Sequence, residues 1–397
     1  MKSQPRSKRQ RTIRQHNQNA AGIDIGSSSE ILERRSFEVI LVNARHVKNV
    51  PGRKSDVIDC QWLQELHTLG LLAGSFRPSD SIVALRSLVR QRKMLVEYAA
   101  SHVQHIQKAL VQMNLQLHNV VTDVTGVTGM KILRAILSGE RDPKVLAANR
   151  DYRCKSSVET IEKSLIGNWR DEHLFSLRQA IELNDFYERQ IAECDRMIDA
   201  YTVTLDTVAE TSDLPPSTKR RKSLERNEPQ FDARGRMFQL LGVDLTQIDG
   251  IRGYTVLQLV AEIGTDMSRW KTASHFASWL ALCPGTNITG GRRRSGQQPR
   301  KAHRAALILR MAAMGLRNSR SALGAFFRRK RAQLGPARAI ATTAHKLARL
   351  IYILIKDRRQ FLEPGEGVYE QQFRARSLRS VERKARALGF TLTPLTA

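Results

Sequence analysis

Between Leu177 and Val208 apolar residues return every three and four positions. With Leu177 set at position a of a seven-residue repeat, the a positions hold Leu177, Asn184, Ile191, Ile198 and Leu205. The d positions hold Ala180, Tyr187, Cys194, Tyr201 and Val208. A stripe of this period, flanked by charge, describes one long helix that has to bury one face. Two burials are open to it. In a coiled coil with a second copy, the lone Asn184 hydrogen-bonds only in matched register and so fixes a dimer. In an intramolecular hairpin, helix 82–118 covers the same stripe, with Leu85, Leu88, Val89, Val103, Ile106, Leu110 and Met113 at helical spacing. Self-association through helix 171–209 is the expectation placed first.

Charge narrows the partners. The 397 residues carry 65 Lys and Arg against 38 Asp and Glu, a net charge of +27. That excess calls for a polyanion, and nucleic acid fits it better than a membrane. No run approaches the ~20 apolar residues of a membrane span, and no apolar signal core follows the basic start MKSQPRSKRQRTIR. Cys60, Cys154, Cys194 and Cys283 stand far apart in unrelated contexts, as expected in a reducing cytoplasm. The length suits two or three domains.

The stretch most loaded with chemistry is Phe276 to Arg310, FASWLALCPGTNITGGRRRSGQQPRKAHRAALILR. A helical segment with Trp279 breaks at Cys283-Pro284-Gly285. The expected loop beyond it holds Gly290, Gly291, Arg292, Arg293, Arg294 and then Ser295-Gly296. A second helix follows, with Arg300, Lys301, His303 and Arg304 in its first turns. Glycines let backbone N–H groups approach a phosphate, arginines neutralise it, and a helix N-terminus favours the anion. Ser295 in that setting is either a nucleophile aimed at a phosphodiester or a turn-capping residue in a basic DNA-binding loop.

Acidic residues collect near the amino terminus. Ala20-Ala-Gly-Ile-Asp24-Ile-Gly26 reads as a short strand with a central Asp, as in ribonuclease-H-like nucleases or the phosphate loop of actin-like ATPases. A second strand is expected over Glu38–Asn43. In the helix beginning near Ser55, Asp56 and Asp59 lie three apart and share a face. First-turn carboxylates suit the helix dipole, and together with Asp24 they also suit a hard cation such as Mg²⁺.

Further along, 211–235 reads as a linker with Pro215-Pro216 and Lys219-Arg-Arg-Lys222. Leu245 to Glu262, with Gly250 and Gly253, resembles a helix–hairpin–helix that offers backbone N–H groups to DNA; a plain helix–turn–helix is the other reading. The tail carries Arg374, Arg376, Arg379, Arg383, Lys384 and Arg386 around Leu378, Val381, Ala385 and Leu388, the pattern of a helix lying on phosphates.

These pieces, in this order, resemble the transposases of insertion sequence 110 and its relatives 116, 902 and 1111. The resemblance rests on GIDIG at 22–26, FEVILVNARHVKNVPGRKSDVIDCQWL at 37–63, IDGI at 248–251, AEIGTDMSRW at 261–270, FASWLALCPGTNITGG at 276–291 and SALGAFFRR at 321–329. It implies an α/β-plus-mostly-α chain. Residues 1–20 form a basic arm and 21–80 a truncated ribonuclease-H-like domain with an Asp-Glu-Asp-Asp metal site. Long coiled-coil helices follow at 81–210, then the linker 211–235. An all-α transposase domain spans 236–356 and carries the helix–hairpin–helix-like element, and 357–397 is a basic tail. It further implies Mg²⁺ at Asp24, Asp56 and Asp59, and Ser295 as the residue that attacks DNA to form a phosphoserine. A structured guide RNA, DNA ends and target, a homodimer or higher homo-oligomer, and a bacterial, nucleoid-associated location complete the expectation.

One departure stands out. Asp24 and Asp56 lie only 32 positions apart, too few for the hairpin, helix and strand that bring the family's acidic Glu between them. The segment reads as deleted. A catalytically impaired remnant that still binds nucleic acid is therefore the alternative expectation.

Overall fold

The computed structural model describes residues 17, 19–23, 32, 35–42, 56–72, 74–217, 227–283, 286–290, 292–295 and 303–393; for 56–59, 286–289 and 292–295 it describes the backbone. The chain divides into two compact units, Met1–Pro78 and Ser79–Ala397. The described residues are mostly helical, and none of their helices is long and apolar enough to cross a membrane.

In the first unit, helix α1 spans Asp56–Thr68. Asn17 ties the incoming chain to its end, donating from its backbone to the C=O of Thr68 at 3.1 Å and from its side chain to the C=O of His67 at 2.8 Å. Gly22 passes so close to α1 that a Cβ there would stand 2.1 Å from the C=O of Cys60, so this position admits only glycine without displacement. The strand expected at Glu38–Asn43 does not form over its described part. Residues 37–42 make no ladder, although the N–H of Ser75 donates to the C=O of Leu41 at 2.6 Å. A strand exists only by pairing, and among the described residues the one sheet is the two-stranded hairpin of the second unit. Asn43 lies outside the described residues, as do Asp24 to Gly26 of the first expected strand.

The second unit begins with helix α2, Asp80–Gln112. Short helices α3 (Leu117–Val120), α4 (Val127–Leu137), α5 (Pro143–Ala147) and α6 (Val158–Ser164) follow, then the long α7, Asp171–Val203. Helices α2 and α7 pack antiparallel along their lengths. Ser81 meets Tyr201, Arg92 meets Asp195, and Tyr98 meets Tyr187. The heptad stripe is thereby spent inside the chain: Leu177, Asn184, Ile191 and Ile198 are all buried, Ile191 against Leu95 and Ala99. Of the two burials expected for the stripe, the one seen here is the intramolecular hairpin. A second copy would have to displace α2, which already offers a matching stripe at far higher local concentration. The short helices close one end of the hairpin around Ile106, Leu110, Ile132, Leu133 and Leu177.

The rest of the unit is built on a helical core. Helices α8 (Ala233–Leu241), α9 (Gly253–Ile263) and α10 (Ala273–Trp279) come first. Strands β1 (Thr286–Thr289) and β2 (Arg292–Ser295) then form an antiparallel hairpin. Helices α11 (Arg304–Gly315), α12 (Ala322–Leu334), α13 (Pro336–Asp357) and α14 (Gly365–Ala387) complete the order. The hub is α13. Pro336 opens it, where the missing N–H costs nothing, and Leu347, Ala348, Ile351, Tyr352 and Ile355 bury its inner face under α10, α11 and α12. The first half of α14 docks on α12 through buried Tyr369, through Arg328–Glu366 at 2.7 Å, and through Arg329–Glu370.

The helical hairpin is bolted to this core by charge. Arg92 and Asp195 pair at 2.5 Å with 1% and 3% of their side chains exposed. The Arg92 guanidinium also lies 4.6 Å from the centre of the Tyr254 ring and donates to the C=O of Asn227. Asp195 in turn accepts from the N–H of Gln230. Arg236 adds a bond to Asp199 at 2.9 Å.

Candidate nucleic-acid processing site

The segment expected as a loop around Ser295 is a β-hairpin. Thr286 faces Ser295 and Thr289 faces Arg292, so the turn of the hairpin falls between Thr289 and Arg292 and begins with Gly290. Such connections need positive φ because their twist must match that of the strands, and Gly290 supplies φ +58°. Paired glycines signal a turn, but the β-character of Thr-Asn-Ile-Thr was the sign that the flanks would pair. Along β2, Arg293 and Ser295 occupy one face of the register and Arg292 and Arg294 the other.

Two helices carry the hairpin's stems. Thr272 caps α10, its hydroxyl accepting from the N–H of His275 at 3.3 Å, and the helix ends at Trp279. Ala281 turns the chain with φ +56°, Leu282 is buried, and β1 begins at Thr286. On the return side His303 caps α11. Its Nδ1 accepts from the N–H of Ala305 at 3.2 Å, an acceptor role that leaves the neutral ring's proton on Nε2. The His303 and Trp279 rings touch, with centroids 4.4 Å apart. Behind Trp279 stand Trp270 at 4.9 Å and Phe276 at 6.0 Å, and the Tyr352 hydroxyl of α13 donates to the C=O of Trp270.

A buried carboxylate lies near the same place. Glu262, 6% exposed near the end of α9, takes a two-pronged bond from Arg90, Nε to Oε1 at 2.9 Å and a terminal nitrogen to Oε2 at 2.8 Å. Arg86 reaches the backbone C=O of Ala261 and of Glu262, each at 2.9 Å. Burial pushes the Glu262 carboxyl up, but the bonds and charge of Arg90, with Arg86 and His303, outweigh it and hold it below the usual carboxylate range. Burial, helped by Arg86, Arg90 and Arg304 against the pull of Glu262, holds the His303 ring below its ordinary value and keeps it neutral.

The other sequence-derived candidates are dispersed. Asp56 and Asp59 sit in the first turn of α1, three positions apart on one face, where a carboxylate donor set suits a hard divalent cation. Asp24 lies outside the described residues, and so do Gly291, Arg300 and Lys301. Among the described residues no three acidic, His or Cys side chains cluster as a metal site. Arg304 is exposed at the first position of α11. Gly250, exposed, turns the chain with φ +80°, and a Cβ there would stand 2.5 Å from the C=O of Ala312. Gly253 is buried, and a Cβ there would come within 3.0 Å of the N–H of Arg234.

Sequence reasoning assigned no role to Glu262, Arg86, Arg90 or the His303 cap. The arginines and their carboxylate are 172 or more residues apart, and histidine is not among the usual capping residues, so no local pattern announces them.

Two family models match the chain. One, described as "Transposase IS116/IS110/IS902 family", covers residues 244–327 and therefore the whole β-hairpin and both stems. The other, described as "Transposase" and named for the Asp-Glu-Asp-Asp transposases of IS110, covers residues 19–115 and therefore α1 and its aspartates. No curated protein matches.

Proposed function

We propose that this chain, an insertion-sequence transposase of the IS110 family by both of its matched domains, cuts and joins DNA through Ser295. The observation that carries the reading is the β-hairpin. It sets Ser295 on a strand immediately after three arginines, within the matched span 244–327, on stems anchored in a rigid core. In the proposed step the Ser295 hydroxyl oxygen forms a bond to a backbone phosphorus. The bond from that phosphorus to one deoxyribose oxygen breaks, and this oxygen leaves with a proton as a free hydroxyl. A hydroxyl of a second DNA strand then attacks the phosphoserine and restores the serine. Arg292, Arg293, Arg294 and Arg304 neutralise the phosphates on either side, while Gly290 and the exposed turn at Gly250 admit the backbone closely. Gly291, Arg300 and Lys301 belong to the same proposed DNA surface, whereas buried Gly253 lets the start of α9 pack closely against Ala233 and Arg234.

Asp24, Asp56 and Asp59 are the residues proposed to hold Mg²⁺, within a truncated ribonuclease-H-like domain at 21–80. The cation would supply polarisation of a phosphate oxygen. A structured guide RNA, a homo-oligomer and a nucleoid-associated location belong to the same proposal. The arginine row Arg376, Arg379, Arg383 and Arg386, at helical spacing on α14, adds a further phosphate-binding face.

Ser295→Ala tests the reading on labelled element-end DNA. A loss of cleavage of about a thousandfold or more, with the covalent protein–DNA adduct gone and binding retained, is expected. Undiminished cleavage by the variant would sink it. The 32-position separation of Asp24 and Asp56 favours a second reading, in which the chain binds DNA but cleaves it poorly. Under that reading the unaltered chain shows salt-sensitive binding and little strand transfer.

A further inference from the structure

We infer that Trp279 and His303 form a clamp that joins the two stems of the serine hairpin and so positions Ser295 for attack. The inference rests on the reading of Ser295 as nucleophile, but its physical content does not. A hairpin of two four-residue strands is marginal by itself in water, and nothing in its own pairing fixes where it stands. Its position has to come from its ends. On the leading side the chain stays in the core through buried Leu280 and Leu282, on the return side His303 caps α11, and the His303 and Trp279 rings meet across the two sides at 4.4 Å.

Each half of the clamp is held from behind. The indole is backed by Trp270 and Phe276, and Trp270 is tied through its C=O to Tyr352 of the hub helix. The imidazole is held by its bond from the N–H of Ala305 and lies in the field of Glu262, which Arg90 grips with two bonds. Ring contact and cap are separate interactions of the same side chain: the ring meets Trp279 at a tilt of 48°, and Nδ1 meets the backbone. The two contributions are therefore separable by substitution. Asn at 303 keeps a capping acceptor without a ring, and Phe keeps a ring without an acceptor.

Neither residue touches the reacting atoms in this account; both are positioning residues. A misplacement of about 1 Å costs on the order of a hundredfold in rate, so loosening the stems should depress turnover and leave DNA affinity almost alone.

The test is millisecond hydrogen exchange on the full chain, following the amides of 286–295 with those of α13 as a control for folding. His303→Asn and His303→Ala are expected to speed hairpin exchange about tenfold or more, and His303→Phe to restore most of the protection, with α13 unchanged. Cleavage should fall at least about tenfold in the Asn and Ala variants while DNA affinity stays within about twofold. Wild-type hairpin protection in His303→Ala, with α13 protected, would overturn the clamp. If His303→Ala loses protection in α13 as well, Trp279→Leu and Trp279→Phe decide: faster hairpin exchange in Leu than in Phe supports the clamp, and equal exchange refutes it. If Ser295→Ala cleaves like the wild type, the nucleophile reading fails on its own, and the exchange data still decide the clamp.

Discussion

Helices α2 and α7 run side by side for 33 residues each, whereas the strands of the serine hairpin are four residues long. The first pair owes its place to a continuous buried stripe, renewed at every turn. The second owes its place to what holds the chain on either side of it, buried Leu280 and Leu282 before β1 and the contact of Trp279 with His303. Loss of one contact in the long pair is shared among many neighbours and appears as lost stability. Loss of one contact at the hairpin base has few neighbours to absorb it and appears as lost geometry. The contrast separates residues that keep the chain folded from residues that keep it in register with a phosphodiester.

The largest effect is expected where the long pair carries its buried charge. Arg92→Ala leaves the buried Asp195 side chain without its partner and with one remaining backbone donor, and should cost about 3–5 kcal/mol. Denaturant titration reads this directly. Replacing both partners by apolar residues of similar size should recover most of the loss, and a failure to recover would mean the pair does more than neutralise itself.

Next comes the seam. Ile198 is fully buried, and Ile198→Ala should cost about 2–5 kcal/mol without altering sedimentation. A fall from dimer to monomer with the fold intact would return the stripe to an intermolecular role and erase the contrast drawn here.

A smaller effect on stability, though a clear one on binding, belongs to α14. Removing Arg376, Arg379, Arg383 and Arg386 together should leave unfolding within about 0.5 kcal/mol of wild type, because all four are exposed. The slope of log affinity for duplex DNA against log salt should become shallower by about 3–4. An unchanged slope would show that the row does not meet phosphates.

The smallest effect is set by pH and sharpens the hairpin side. The His303 ring in place titrates below its ordinary 6.5, because burial and the charges of Arg86, Arg90 and Arg304 outweigh Glu262. Above that ordinary value the ring is neutral both clamped and released, and the clamp is at full strength. As pH falls below it, the released ring takes a proton more readily, so clamping weakens progressively toward the lower value of the ring in place. Hairpin exchange, corrected for its intrinsic rate, should therefore rise between pH 7.5 and 5.5, and do so less in His303→Phe. Glu262 stays ionised over this range, its carboxyl being held below the usual range by Arg90 and Arg86 against burial.

The two regions also differ in how much of them the sequence discloses. Period alone located α7 and the buried identity of Leu177, Ile191 and Ile198, since three-four spacing is a local property. It could not say which stripe would cover them, because α2 and a second copy present the same chemistry. Around Ser295 the signal was the reverse. Residue types announced phosphate chemistry, yet the backbone was read as a loop, since Arg292–Arg294 carry no strand preference and the pairing depends on Thr286–Thr289 across the turn. The clamp and the Glu262 ion pairs escaped because their partners are joined only by the fold. At the amino terminus the expected strand at 38–43 had the right composition, but 37–42 find no neighbour to pair with among the described residues.

The buried pair has a consequence for the chain as it is made. Arg92 and Asp195 are 103 residues apart, and the C=O of Asn227 that Arg92 also meets is 135 residues away. At a synthesis rate of about 5–20 residues per second, Arg92 is made roughly 5–20 seconds before its counter-charge exists. Throughout that interval Leu85, Val89 and Leu95 are in solution without the helix that later covers them. The newborn protein therefore passes through a window in which it is a client for chaperones, and the window closes only when residue 195 arrives.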